Sequence, residues 1–257
     1  MNLSELVTYL RQDILHDRSD KISGQDDRLW SDATLVRHID EAQKRFARLG
    51  LVLRDATTPA VTQVTMVADQ AYYTLHDSVL GVLSARHEAD EVDLARIDHP
   101  MIGMQSRYEG PYYDAAQVRL MQPGRPVAFT SDEEIGTGTT STKTAVRLRL
   151  YPTPTAEYAG DKVMLRVVRL PLLTFTTTDM ATQQPELPDV HHIEMLDWAA
   201  YLCLRIVDHD LGDPGRAHEF RAMFEKNVDR ARRDAMRKMF APLGWSFGRN
   251  GFAWEPG

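Results

Sequence analysis

Ala145-Val146-Arg147-Leu148-Arg149-Leu150-Tyr151 alternates apolar and charged side chains and runs directly into Pro152-Thr153-Pro154. Side chains two apart share one face of a strand, whereas on a helix they lie about 200° apart. Val146, Leu148 and Leu150 therefore predict the covered face of a β-strand, and Arg147 and Arg149 its wet face. One short strand has no stability alone, so the neighbouring sequence must supply partners. Residues 61–67, 71–75, 79–83, 126–130 and 162–170 are further short runs rich in β-branched and aromatic side chains. Turn residues part them: Asp69, His76-Asp77, Pro123-Gly124 and Gly160-Asp161. Most of these runs have no helix of crossover length between them, which predicts antiparallel pairing. Residues 98–105 read as a short helix inside this β region.

On both sides the period lengthens to that of a helix. Upstream, Leu3, Leu6, Val7, Leu10 and Ile14 fall on one face, with Asn2 as cap and Glu5 placed to reach back to it. Residues 17–28 are polar, contain Gly24 and read as a loop. A second helix starts at the N-cap Ser31, where Trp30 and Leu35 are spaced as a hydrophobic staple. Its predicted buried stripe is Leu35, Ile39, Ala42, Phe46 and Leu49, with Gly50 placed to end it. Downstream of Pro188, Ile193, Leu196, Ala200, Leu204 and Val207 share a face as far as Gly212. Asp213-Pro214 then supplies a cap and a first-turn proline for a last helix, with Phe220, Phe224, Val228, Ala231, Ala235 and Met239 as its stripe.

A pair of helices is marginal alone, so the two separated pairs must close on each other. The predicted fold is α+β: a discontinuous four-helix bundle with an inserted antiparallel β domain of sandwich or barrel type and an extended C-terminal tail. The expected boundaries are 1–55 and 187–240 for the two halves of the bundle, 56–186 for the β domain and 241–257 for the tail.

A net charge of −7 argues against a general nucleic-acid coat. The one cysteine, Cys203, cannot form an internal disulfide and points to synthesis in a reducing compartment. Met1 to Arg11 lacks the basic start and long apolar run of a signal peptide. No stretch approaches the roughly 18 apolar residues of a spanning helix. A soluble protein, neither membrane-embedded nor secreted by the usual route, is expected.

Catalytic, cofactor and metal signatures are not found. Gly136-Thr137-Gly138-Thr139-Thr140-Ser141-Thr142-Lys143-Thr144 resembles a phosphate loop in composition. Such a loop needs glycine directly before the lysine and another five residues earlier, and those positions hold Thr142 and Thr137. A hairpin tip is the expected reading. His191 and His192 are adjacent at a helix start, about 100° apart, and with Glu194 do not chelate one ion readily. Asp26, Asp27, Asp132, Glu133 and Glu134 pair with no base or nucleophile at a recognisable spacing. Cys203, inside an apolar run, reads as a buried and inert thiol. The chain is expected to be non-enzymatic, with no cofactor.

Two features suit a protein that works against other proteins. Leu243, Trp245, Phe247, Phe252 and Trp254 lie among glycines and prolines in the last 17 residues, an arrangement of large apolar anchors suited to docking on a partner. From Arg216 to Lys238 the last helix carries eight Arg/Lys against four Asp/Glu, a net +4, which leaves −11 for the rest of the chain. Arg221, Arg230, Arg233 and Arg237 are the candidate contacts with an acidic neighbour. A DNA contact and a solvated helix face are the competing readings, and the interleaved acids disfavour DNA.

The order of motifs resembles a known family. Leu3-Ser4-Glu5-Leu6-Val7 and then Leu29-Trp30-Ser31-Asp32, Leu35 and Ile39-Asp40-Glu41-Ala42 are similar to the opening of tailed-phage head-to-tail adaptor proteins, including the tail tubular protein A type of podophages. Tyr72-Tyr73-Thr74-Leu75 with Val79-Leu80-Gly81-Val82 resembles a strand pair of that family, with His76 where the family tends to have proline. Leu148 to Pro154 resembles its recurring proline turn, and Leu187-Pro188 with Leu196 and Ala199-Ala200 the start of its third helix. The resemblance ends near Met239. It implies a homo-oligomeric, dodecameric ring below the portal protein, at the virion neck, assembled from subunits made in the host cytoplasm. The tail would dock on the portal, a tail nozzle or tail tube protein would sit below, and double-stranded DNA would pass through the lumen without sequence-specific binding. Other readings stay open: another neck or tail component (tail tube, stopper or tail completion), a DNA-binding accessory, or a phage-encoded enzyme.

Overall fold

A computed structural model of the chain describes residues 1–17, 28–97, 123–134, 145–205 and 213–240. It divides into two compact units, 1–52 with 173–257, and 53–172. Among the described residues the fold is mixed α+β, with five α-helices and one curled, mixed β-sheet. The short helix expected at 98–105, the hairpin tip at 136–144, most of the loop at 17–28, Val207, and the tail from 241 onward lie outside the described residues.

The first unit is helical. Helix α1 (Leu3–Tyr9) starts with the expected capping box: Asn2 Oδ1 accepts from the Glu5 N–H at 2.9 Å and Glu5 Oε2 from the Asn2 N–H at 3.0 Å. It widens into a π turn (Leu10–Ile14), where the Leu15 N–H reaches the Leu10 carbonyl at 2.9 Å. The wider turn shifts the phase of the face. Arg11 is thereby buried at 7% exposure, while Ile14, expected in the stripe, is only half-buried.

Helix α2 (Asp32–Gly50) is capped by Ser31, whose Oγ accepts from the Thr34 N–H at 3.2 Å. Trp30 and Leu35 are both buried. Leu49 is exposed, not part of the stripe, and Ala47 is buried in its place. The helix ends where expected but by another device. Leu51, not Gly50, takes the left-handed conformation (φ 53°) and returns its N–H to the Ala47 carbonyl at 3.0 Å. Gly50 is needed for close approach: a Cβ there would stand 3.3 Å from Val52 Cγ1 and 3.7 Å from the Ala231 Cβ.

Helices α4 (Leu196–Leu204) and α5 (Pro214–Phe240) complete this unit and pack on α2 and on each other. Asp213 Oδ1 accepts the Arg216 N–H at 3.1 Å, with Pro214 at the first helical position, as expected. Leu196, Ala200 and Leu204 are buried on α4, but Ile193 is exposed because it precedes the helix. Phe224, Val228, Ala231 and Ala235 form the covered line of α5. Phe46 and Phe224 meet edge to face at 5.8 Å, and Trp198 lies 5.1 Å from Phe224, so one aromatic cluster joins the three helices.

The second unit is built on the sheet. Its order is β1 (Arg54–Asp55), β8 (Lys162–Arg169), β4 (Val79–His87), β5 (Val92–Arg96), β6 (Ala128–Glu134), β7 (Ala145–Tyr151) and β3 (Tyr72–Thr74), with β2 (Gln63–Thr65) also on β8. The expected antiparallel sandwich or barrel is instead a single curled mixed sheet: β5 and β6 run parallel, Ala95 opposite Ala128. Residues 97–127 separate these two strands, which is length enough for a crossover. Two register shifts in the pairing of β4 with β8 add local twist. The strand expected at 61–67 begins as a helical turn, α3 (Pro59–Thr62), since Pro59 presets the backbone and Thr58 O accepts the Val61 and Thr62 N–H groups.

Strand β7 has the predicted bounds. Leu148 and Leu150 are fully buried, packed with Phe129, Val163 and Leu165. Its other face is ordered rather than simply wet: Arg147 and Arg149 lie 4.5 and 4.9 Å from the Tyr72 ring centroid, and Arg149 lies 4.4 Å from that of Tyr151. Asp55 closes the start of the unit. It accepts from the Thr57 and Thr58 N–H groups at 2.9 and 3.0 Å and from Arg169 Nε at 2.7 Å. Burial alone would raise its carboxyl, but these donors outweigh burial and hold it far below the usual carboxylate range.

Candidate functional site

Helix α5 presents the basic residues singled out in the sequence on its exposed side. Arg221 pairs with Glu225 at 2.9 Å, Arg237 stands 3.7 Å from Asp234, and Arg233 Nε donates to the Asp229 carbonyl at 3.2 Å. Arg230 and Lys226 make no ion pair among the described residues. All are solvated, so these local pairs contribute little to stability and leave the cationic character of the face in place. The tail anchors Leu243, Trp245, Phe247, Phe252 and Trp254 lie outside the described residues.

The π turn creates a feature that the sequence does not announce. Buried Arg11 donates through Nη1 to Asp17 at 2.9 Å and through Nη2 to Asp32 at 2.6 Å. Asp17 also accepts the Leu29 and Trp30 N–H groups at 2.8 and 3.2 Å, and Arg216 Nη2 reaches the Ile14 carbonyl at 2.8 Å. One carboxylate thus joins the end of the first helical segment to the start of the second. The knot forms one wall of an open cleft of about 580 Å³, also lined by Ser4, Thr8, Gln12 and Met180. A strict helical period places Arg11 at the edge of the stripe, about 40° beyond Val7. The only hint in the sequence is a charged residue directly beside the apolar stripe.

The histidines expected not to chelate point to different partners. His191 Nδ1 meets Glu194 at 2.7 Å with its ring 5.0 Å from Phe46, while buried His192 donates from Nε2 to the Leu187 carbonyl and accepts from the Met1 amino group at 3.1 Å. No group of three metal-ligating side chains forms among the described residues. Cys203 is buried, and burial followed by the Asp17 carboxylate pushes its thiol up to about 12, far from a reactive thiolate. His38 is buried with neither ring nitrogen hydrogen-bonded, and burial and Arg37 push its pKa down, so the ring is neutral. No helix among the described residues is long and apolar enough to cross a membrane. Of the Asp132, Glu133 and Glu134 acids, the backbone lies in β6 and the side chains lie outside the description.

Asp197 on α4 is the other perturbed group. Burial pushes its carboxyl up to about 6; the hydrogen bond from Asn227 Nδ2 at 3.1 Å opposes this and the Glu194 charge adds to it. A carboxyl raised on folding favours the native state below about pH 4, its unfolded value, and that benefit is lost as pH rises through about 6. Asp197→Asn keeps the shape and an acceptor for Asn227 without the charge. It is expected to stabilise the protein by about 2 kcal/mol at pH 8 and to flatten the loss of stability between about pH 4 and 7. Denaturant unfolding across that range checks this, and no gain at pH 8 contradicts it.

The described residues present a cationic helix face, an open cleft and a buried, unreactive thiol. No individual curated protein matches the chain. A family model described as SU10 adaptor protein matches residues 1–245, and the chain belongs to that family of phage head-to-tail adaptors. Membership makes it a structural component of the phage neck.

Proposed function

We propose that copies of this chain form a dodecameric ring between the portal protein and a tail nozzle or tail tube protein, with the double-stranded genome passing through the lumen. The observation that carries this is the adaptor-family match across residues 1–245. The helices of residues 1–55 and 187–240 act as a four-helix bundle that packs beside neighbouring copies through Arg221, Arg230, Arg233 and Arg237. The β domain, 56–186, faces the tail. Residues 241–257 dock on the portal through Leu243, Trp245, Phe247, Phe252 and Trp254. Head-to-tail contacts between identical subunits close into a ring when the rotation closes, with roughly 1,200–2,000 Å² buried at each. A subunit of net charge −7 suits a lumen that lets a polyanion pass without sequence-specific binding. Subunits are made in the host cytoplasm and dock on the portal through their tails. No enzymatic step or cofactor is needed.

Deletion of residues 241–257 tests the docking role. The truncated chain keeps every described helix, the last of which ends at Phe240, and is expected to melt within about 2 °C of the full chain yet to lose portal binding in light scattering and negative-stain imaging. Equal binding by the truncated chain removes the tail from the mechanism. A full-length chain that stays monomeric with portal present sinks the ring.

A further inference from the structure

The covered side of α5 is set by Phe224, Val228, Ala231 and Ala235. Lys226, Arg230, Arg233 and Arg237 recur at intervals of four, three and four residues, so they too fall on one line, roughly opposite the covered one. The line spans about 16 Å of helix. All four are exposed, and Lys226 and Arg230 make no ion pair among the described residues. A helix face of this kind, solvated and cationic, with no ion partner for its first two charges among the described residues, is complementary to an acidic surface.

The chain carries such a surface in its other unit. The turn between β4 and β5 and the first two residues of β5 read Glu88-Ala89-Asp90-Glu91-Val92-Asp93, every one of them exposed. Asp90 pairs with Arg125 at 2.7 Å and Glu91 with Arg86 at 2.9 Å. These pairs fix the shape of the tip. Glu88 and Asp93 make no ion pair among the described residues, and Glu91 keeps 80% of its side chain exposed. An exposed acidic tip complements a straight cationic line, and the two are different patches of one chain, so a contact between copies through them is head to tail.

We propose that the basic line of α5 docks on the acidic β4–β5 tip of a second copy of this chain. This rests on the ring reading above and names one of its contacts. The contact is electrostatic and solvated at its rim, so it sets orientation and register between copies and weakens with salt.

The test uses two full-length variants, K226E/R230E/R233E and E88K/D93K, whose exposed substitutions leave the core untouched; circular dichroism melts confirm each fold. The wild-type chain is expected to self-associate in sedimentation velocity at about 50 mM salt and to weaken about tenfold by about 300 mM. Each variant alone sets like charges against each other and is expected to lose association at least about tenfold. An equimolar mixture restores both contacts, because the acidic helix of one variant meets the basic tip of the other and the unaltered pair remains. Recovery of association in the mixture alone supports the contact. Association of either variant at wild-type strength overturns it, as does a mixture that stays dissociated or a wild-type chain monomeric at every salt. A monomeric chain that retards duplex DNA, with the retardation lost in K226E/R230E/R233E, also overturns it and assigns the face to nucleic acid. Portal binding by the wild-type chain is scored separately, so failure of this contact is distinct from failure of the adaptor reading.

Discussion

Phe46→Ala is expected to destabilise the helical unit by about 3–5 kcal/mol, a large part of the stability of a typical domain. Phe46 is fully buried, and its ring meets His191 at 5.0 Å and Phe224 edge to face at 5.8 Å. Trp198, stacked under the Arg45 guanidinium at 3.8 Å, lies against the same Phe224 ring. Truncation at Phe46 removes the ring that α2 places in that cluster and leaves a cavity that α4 and α5 cannot close, because Gly50 already holds α2 and α5 at close approach. Leu49→Ala on the same helix is the internal control. Leu49 is 41% exposed and is expected to cost under about 0.5 kcal/mol. Urea unfolding followed by tryptophan fluorescence separates the two, and equal costs contradict the packing described.

Leu49 also shows where the sequence was legible and where it was not. The spacing that placed it in the stripe with Phe46 is that of an ideal helix, and the face is right to within one residue. Which of Ala47 and Leu49 is covered depends on where α5 crosses, and that is fixed by Gly50 and Ala231, far apart in the chain. Cap residues read correctly because capping is local: Asn2 with Glu5, Ser31 and Asp213 each bond a backbone N–H within three residues. Strand β7 read correctly because one covered face and one charged face alternate along it. Strand β5, Val92 to Arg96, did not, because Leu94 is its only buried residue and a single apolar side chain has no period. The parallel pairing of β5 with β6 is likewise set by chain reversal over a long connection, not by local pattern. The candidate contacts followed the same division. The charges along α5 and the covered line of Phe224, Val228 and Ala231 were both legible in the sequence, but which charges are taken up by local ion pairs required the structure.

The Arg11 knot was missed for a related reason, and its removal is the second large effect expected. Asp17→Ala leaves the buried Arg11 guanidinium with Asp32 alone and strips the acceptor from the Leu29 and Trp30 N–H groups. A buried charge left with no partner costs about 3–5 kcal/mol; Arg11 keeps Asp32, so its share is smaller, and the orphaned donors add about 1–3 kcal/mol to it. Arg11→Met is expected to cost less, because the Asp17 carboxylate keeps both backbone donors and the thioether stem fills most of the volume left by the guanidinium chain. The pair is coupled: once Asp17 is gone, Arg11 is a liability, so adding Arg11→Met to Asp17→Ala is expected to recover about 1–2 kcal/mol. Thermal and urea unfolding of the two single variants and the double variant close this cycle. No recovery in the double variant means that the carboxylate's backbone bonds, and not the buried ion pair, hold the two helical segments together, whereas an Arg11→Met cost equal to that of Asp17→Ala means the reverse.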